Sequence, residues 1–281
     1  MRIADWEVRS IVDAHVALDG GSMFGVVPRA LWQRLHPPDE RNRIAMVTRL
    51  LLIEGRGRRI LVDTGLGERW EDRARDIFGI EPVEGGVVAR LRSLGIAPEQ
   101  VTDVILTHLH FDHVAGTVRQ TGSGLELTFP HALHHVQRLH WEWAWAPSAK
   151  DAGSFRRDDF ALLGETEGAL HLLDGDSELH PGLSLVSLDG HTRGMQAVRI
   201  AGGDEVLLFP SDLLPTAAHL RFPYIMAYDN EPLRTLEEKQ RWLARAAAGN
   251  WVIALQHDRD VEAVRIEIVD GVPAIRERVR L

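Results

Sequence analysis

The 281-residue sequence predicts an α/β fold, organised as a single domain over residues 1–281 and built from two similar halves. Three observations carry this expectation. Short apolar runs of strand character alternate with stretches of helical period along the whole chain. The second half repeats the first in outline, and no Gly/Ser-rich, Pro-rich or low-complexity tract separates them. Several strand-like runs also end directly in His or Asp, which puts reactive side chains on the loops that leave a sheet.

Residues 8–18 alternate as a first strand and end at Asp19-Gly20-Gly21, a glycine turn leading to Met23 and Phe24. Residues 29–35 have the period of a short helix, stopped by His36-Pro37-Pro38-Asp39. Residues 46–54 and 58–62 form a hairpin across Gly55-Arg56-Gly57, which is a plain turn because no helix follows it to make a phosphate loop. Asp63 stands at the strand end. Residues 67–79 hold Trp70, Ile77 and Phe78 among many charges, the pattern of a mobile lid or an amphipathic helix. Residues 87–94 are helical in period and stop at Gly95. Next come a strand at 101–106, a loop at 116–124 and a strand at 132–136. Trp141, Trp143 and Trp145 alternate on a segment that could pack on its neighbours, form a dimer patch or wall an apolar pocket, packing being the default. Residues 151–160 read as polar loop before a short helix. In the second half, residues 170–173, 183–188, 195–200 and 206–209 read as strands, 232–248 as a long amphipathic helix, 251–255 as a strand and 261–280 as edge strands.

Composition narrows the chemistry. A hydrophobic fraction of 44% with 26% charged residues is that of a soluble globular protein, and no apolar run is long enough to span a bilayer. The start shows no secretory signal, so a cytoplasmic protein is expected. There are no cysteines, which leaves any metal to His, Asp or Glu. A formal net charge of −9 argues against a nucleic-acid partner, because phosphate backbones are bound by basic patches. All but two of the 32 basic residues are Arg, the exceptions being Lys150 and Lys239.

The densest cluster of metal-ligand types is Thr107-His108-Leu109-His110-Phe111-Asp112-His113, directly after the strand at 101–106. In an extended segment, side chains alternate, so His108, His110 and Asp112 can converge while His113 looks elsewhere. Two neighbouring ions would use all four, His108 and His110 serving one and Asp112 and His113 the other. Gly190-His191-Thr192, Ser211-Asp212 and Gln256-His257 each follow a further strand-like run. A lone His or Asp after a strand is more often a turn or cap residue; the combination points to a metal site. His131, His134 and His135 read instead as polar residues of the core.

This order of motifs resembles the metallo-β-lactamase superfamily of dinuclear hydrolases over nearly the whole chain, including Leu61-Val62-Asp63-Thr64-Gly65. Asp212-Leu213-Leu214-Pro215-Thr216, with Ala227-Tyr228-Asp229 and Gly21-Ser22-Met23-Phe24-Gly25, is similar to the branch holding quorum-quenching lactonases and methyl parathion hydrolase. The resemblance implies a four-layer αββα sandwich of two mixed β-sheets flanked by helices. It implies two divalent ions, zinc first, with manganese, cobalt, nickel or iron as alternatives. His108, His110 and His191 would hold one ion, Asp112, His113 and His257 the other, and Asp212 would bridge them, with Asp63 orienting ligands. A metal-bridging hydroxide would be the nucleophile and Asp112 would pass a proton to the leaving alkoxide. The implied substrate is a small apolar ester or lactone, foremost an acyl-homoserine lactone, and the expected assembly is a homodimer. Met23, Phe24, Trp70, Phe78, Trp143, Trp145 and Tyr228 are the candidate substrate contacts. Other activities compatible with the motif are organophosphate or aryl ester hydrolysis, a thioesterase of the glyoxalase II type, and a mononuclear iron persulfide dioxygenase. The chain departs from small-lactone hydrolases at one point: Leu213-Leu214-Pro215 stands where they often carry a tyrosine, and Tyr224 and Tyr228 are its only tyrosines.

Overall fold

The structure is a computed structural model describing residues 1–83 and 85–281. Its strands are β1 (Arg2–Ile3), β2 (Trp6–Asp19), β3 (Arg43–Gly55), β4 (Arg58–Val62), β5 (Glu81–Pro82), β6 (Asp103–Ile105), β7 (Val118–Thr121), β8 (Gly124–Leu127), β9 (Leu133–Gln137), β10 (Leu170–Leu173), β11 (Ser177–His180), β12 (Leu183–Leu188), β13 (Met195–Gly202), β14 (Glu205–Phe209), β15 (Val252–Ala254), β16 (Ala263–Val269) and β17 (Val272–Val279). The helices are α1 (Gly20–Phe24), α2 (Arg29–Trp32), α3 (Asp72–Phe78), α4 (Gly86–Ser93), α5 (Phe111–Val114), α6 (Arg138–Trp145), α7 (Ala161–Glu165) and α8 (Pro232–Ala248). Among the described residues, one sheet runs β1-β2-β3-β4-β6-β9-β10 with β5 paired to β2, and a second runs β11 through β17 in order; β7 and β8 form a separate hairpin. Both sheets are mixed. β4, β6, β9 and β10 are mutually parallel in the first, and β14 and β15 are parallel in the second.

The layers follow from the alternation of side chains along each strand. Leu51 and Ile53 of β3, Ile60 and Val62 of β4, and Ile105 of β6 face one way and meet Leu207 and Phe209 of β14 and Val252 and Ala254 of β15. That is the seam between the sheets. Leu50, Leu52, Leu61 and Val104 face the opposite way, onto Val87 and Leu91 of α4 and Ala144 of α6. Leu208 and Ile253 face outward from the second sheet onto Trp242, Leu243 and Ala246 of α8. The result is the αββα sandwich. No helix among the described residues is long and apolar enough to cross a membrane.

Local departures from the sequence reading have identifiable causes. The glycine turn at 19–21 is the first turn of α1, because the Asp19 carboxylate caps it by accepting from the Ser22 amide at 2.7 Å. The lid-or-helix stretch contains α3, ended by Gly79 at φ +54°. Residues 118–127 form the β7–β8 hairpin instead of a loop, and β11 adds an edge strand whose four residues are too short to show a period.

His134 is fully buried in β9, with Nδ1–H donating to the Ala169 carbonyl at 3.1 Å, and His135 Nε2 meets Asp103 at 3.0 Å. Burial pushes the His134 imidazole down to about 4, with the Ala169 carbonyl opposing. The unfolded chain takes up this proton near pH 6.5. The residue's contribution to stability is therefore complete above that pH and is lost as the pH falls toward 4, a change on the order of 3 kcal/mol. Against His134→Leu, the wild type should lose this amount between pH 7 and 4 in denaturant titrations; a difference that stays constant would mean that the folded state protonates His134 normally.

Candidate metal centre

Loops leaving the C-terminal ends of β4, β6, β12, β14 and β15 carry Asp63, the 107–113 motif, His191, Asp212 and His257. β4 and β6 are parallel, as are β14 and β15, and β12 shares their direction because both β12 and β14 run antiparallel to β13. Five loops can therefore meet at one place beyond the strand ends, the usual position of a site in an open sheet. The alternation expected along the ligand motif holds only to His110. There the chain enters α5, so Asp112 and His113 project from successive positions of a helical turn.

The meeting point is organised by Asp63, fully buried and held at φ +61°, a left-handed conformation uncommon outside glycine. Its carboxylate accepts from the Thr107 amide (2.7 Å), the Thr107 hydroxyl (2.9 Å), His113 Nδ1 (3.0 Å) and Gln256 Nε2 (2.6 Å). The Thr107 hydroxyl donates to Asp63, so it acts as acceptor toward Ser211 Oγ at 2.9 Å and His108 Nδ1 at 3.2 Å. Ser211 is itself left-handed, at φ +51°.

This network decides the histidine tautomers. With Nδ1–H donating to Thr107 in His108 and to Asp63 in His113, each ring turns a bare Nε2 inward. His191 donates through Nδ1 to Asp229 Oδ1 (2.8 Å) and His257 through Nδ1 to the Val47 carbonyl (2.9 Å), with the same outcome. His110 presents Nδ1, which lies 3.1 Å from His191 Nε2. Four of the inward atoms lack protein partners: Nε2 of His108, His113 and His257 and Oδ1 of Asp212 are buried and make no hydrogen bond.

Such atoms fit divalent cations, which satisfy several lone pairs at once where a hydrogen bond satisfies one. Three overlapping triads form, His108 with His110 and His191, Asp112 with His113 and His257, and, linking these two, His108 with His113 and Asp212; within each, the ligand atoms lie within 4.8 Å of one another. Asp212 stands between the first two. Its Oδ2 is 3.4 Å from His191 Nε2 and 3.9 Å from His108 Nε2, while its Oδ1 is 3.0 Å from His257 Nε2 and 3.6 Å from His113 Nε2.

The electrostatics agree. Burial, reinforced by neighbouring imidazoles, holds His108 and His110 well below the usual histidine range, so they are neutral. Burial acts the same way on His113 and His191, yet Asp112 and Asp212 outweigh it at His113, and Asp229 and Asp212 outweigh it at His191, raising both. Burial alone would raise Asp212; His113 and His257 pull it well below the carboxylate range. Without a metal, the carboxylates favour a second proton on His113 and His191, at the Nε2 that each neutral ring leaves bare.

Beside the cluster lies a cavity of about 210 Å³ lined by Leu18, Met23, Met46, Phe78, Phe111, Met226 and Tyr228, with His110, Asp112, His191, Asp212 and His257 also on its wall. Of the expected substrate contacts, Met23, Phe78 and Tyr228 line it, and Phe24, Trp70, Trp143 and Trp145 do not. Phe24 is buried between Trp32 and His219, with ring centroids 5.3 and 5.0 Å away. Trp70 buttresses Phe111 and Phe78 edge-on at 5.4 and 6.4 Å, its own face covered by Arg156. The tryptophans of α6 divide by helical period: Trp145 packs on Trp141 and Phe160, and Trp143 turns away to donate to Asp151 at 2.8 Å.

Sequence reading assigned no role to several residues that build this centre. Asp229 orients His191, and Gln256 shares Asp63 with His113. Buried His140 accepts from the Leu109 amide and donates to the Arg193 carbonyl, each at 2.7 Å, tying the two histidine loops together. These contacts join residues far apart in sequence, and only the order Gly-His-Thr, then Tyr-Asp, hinted at one of them. Zinc binding to the metal-free protein should release protons at pH 7 and weaken as pH falls, read by calorimetry in buffers of different ionisation enthalpy. Asp229→Ala should weaken metal binding about 10- to 100-fold; unchanged affinity would remove Asp229 from this role.

The family profile of the metallo-beta-lactamase superfamily matches residues 47–257. An N-acyl homoserine lactonase, AttM, of Rhizobium johnstonii is 28% identical over 213 residues, covering 72% of this chain and 75% of that one. The crystal structure of a probable metal-dependent hydrolase from Staphylococcus aureus superposes with a TM-score of 0.88 at 27% identity, over 99% of this chain and 100% of that one. The dizinc quorum-quenching lactonase AidC, in complex with its product, has the same fold, with a TM-score of 0.82 at 17% identity over 100% of this chain and 97% of that one. A profile match over most of the chain, ending on His257 and enclosing the whole ligand cluster, makes this protein a member of the metallo-β-lactamase superfamily.

Proposed function

We propose that the protein is a dinuclear metallohydrolase that opens lactones, acyl-homoserine lactones foremost. His108, His110 and His191 would hold one ion and Asp112, His113 and His257 the other, with Asp212 placed to serve both. The observation that carries this reading is the Asp212 carboxylate, whose two oxygens face two separate triads. Two complete triads favour two ions over the single iron of a persulfide dioxygenase. When bound, such a pair supplies Lewis acidity that polarises a carbonyl and brings the pKa of water toward about 7.

The chain's own residues supply the rest. The largely apolar wall excludes water and suits an acyl chain, and a cavity of about 210 Å³ favours a compact reacting group over a glutathione thioester. Asp112 borders the cavity and the metal cluster together, so its carboxyl group can carry a proton to the leaving alkoxide. Tyr228 lines the cavity, and a phenol hydroxyl, protonated at neutral pH, can donate to a substrate carbonyl. Tyr228 would thereby take the part of the tyrosine missing after Asp212. Phe78 and Phe111 on the same wall also suit an aryl phosphotriester, so that class is the second reading.

Elemental analysis should find two metal ions per chain, and a lactone series should be hydrolysed faster than paraoxon-type esters. His108→Ala and Asp212→Ala should lose metal and turnover together; full metal content with undiminished turnover in either would refute the ligand set. Tyr228→Phe should keep both ions and lose about 10- to 100-fold in kcat/KM.

A further inference from the structure

The two lysines of this arginine-rich chain end on the same ten residues. Lys239, fully buried on α8, donates to the carbonyls of Tyr224 (2.7 Å) and Arg221 (2.9 Å), with that of Phe222 at 3.4 Å. Lys150, on the exposed turn after α6, donates to the carbonyls of Tyr228 (2.8 Å) and Asp229 (2.9 Å), with Asn230 Oδ1 at 3.4 Å. The residue type follows from geometry. An ammonium directs three donors from one point toward converging carbonyls, whereas a guanidinium is a flat fork suited to carboxylates.

The segment held in this way, residues 221–230, forms neither helix nor strand; two of its amides bond within it, to Arg221 and Met226, and those of Arg221, Ala227 and Asn230 reach out to Ala218, Ser22 and His191. It nevertheless carries Met226 and Tyr228 to the cavity and Asp229 to His191. Lys150 also belongs to the loop that brings Gly153 and Ser154 to the cavity. Its neighbour Asp151 accepts from Asn230 Nδ2 at 2.6 Å and from Trp143 Nε1 at 2.8 Å. The two cavity-lining segments are thus tied directly to each other.

We propose that Lys150 and Lys239 are positioning residues for substrate selection: together they clamp residues 221–230 as a fixed wall, and the Lys150–Asp151 tie sets the width of the cavity mouth. This rests on the reading of the cavity as the substrate site. The clamp acts on Tyr228 and Met226 through their own backbone and leaves the reacting atoms to other groups.

The test is amide hydrogen exchange followed by mass spectrometry on the metal-loaded protein, comparing wild type with Lys150→Met, an exposed change that leaves the core intact, and with Lys239→Met. Exchange at Ala227, Asp229 and Asn230 should accelerate about tenfold in Lys150→Met, with the sheet strands unchanged. On a lactone series, KM for short-chain substrates should rise about tenfold while kcat stays within about threefold and metal content stays at the wild-type level. The preference should shift toward longer or bulkier substrates. Unchanged exchange in both variants overturns the clamp. Faster exchange with unchanged KM and unchanged chain-length preference overturns its part in selection. If the wild type hydrolyses no lactone or ester, the hydrolase reading fails separately, and the exchange measurement still decides whether the clamp exists.

Discussion

The centre depends on one buried carboxylate. Asp63 takes hydrogen bonds from the backbone and side chain of Thr107, from His113 and from Gln256, and so binds the loops after β4, β6 and β15 to a single point. A carboxylate buried this deeply is tolerated because its oxygens accept four hydrogen bonds, one at Oδ1 and three at Oδ2. The left-handed backbone at Asp63 and again at Ser211, two residues joined through Thr107, is the local cost of that convergence. Strain at strand ends is borne by the sheets behind them, where β4, β6, β14 and β15 contribute a continuous apolar seam.

A second constraint is electrostatic. In four of the five histidines, His108, His113, His191 and His257, Nε2 turns inward because Nδ1 is committed outward to Thr107, Asp63, Asp229 or the Val47 carbonyl. Metal sites are commonly made selective and rigid in this way, by partners that fix the ligand's orientation before the ion arrives. The same arrangement leaves Nε2 of His108, His113 and His257 and Oδ1 of Asp212 buried together without a hydrogen bond.

The apolar surroundings divide the labour differently from the tryptophan pattern. The aromatic residues richest in surface mostly build the scaffold: Trp32 backs Phe24, Trp70 backs Phe111 and Phe78, and Trp145 packs on Phe160. The cavity itself is lined by thinner, more adaptable side chains such as Met23, Met46 and Met226. Leu18, Met23, Met46, Phe78 and Phe111 stand on β2, α1, β3, α3 and α5, whereas Met226 and Tyr228 come from a segment outside helix and strand that side-chain ties help to hold.

The amino-acid order alone determined the alternation of strands and helices, since apolar period is local, and it marked His108, His110, Asp112, His113, His191, Asp212 and His257, since residues at strand ends stand out against that period. It could rule out thiolate ligands from the absence of cysteine. Only the tertiary structure decided which nitrogen of each histidine turns inward, because the partners that choose it, such as Asp229 for His191 and Val47 for His257, lie 38 and 210 residues away. It also decided which apolar residues reach the cavity. Phe24 and Met23 are adjacent in sequence and equally hydrophobic, yet one is sealed between Trp32 and His219 and the other lines the cavity, a distinction made by packing between distant segments that no local pattern encodes.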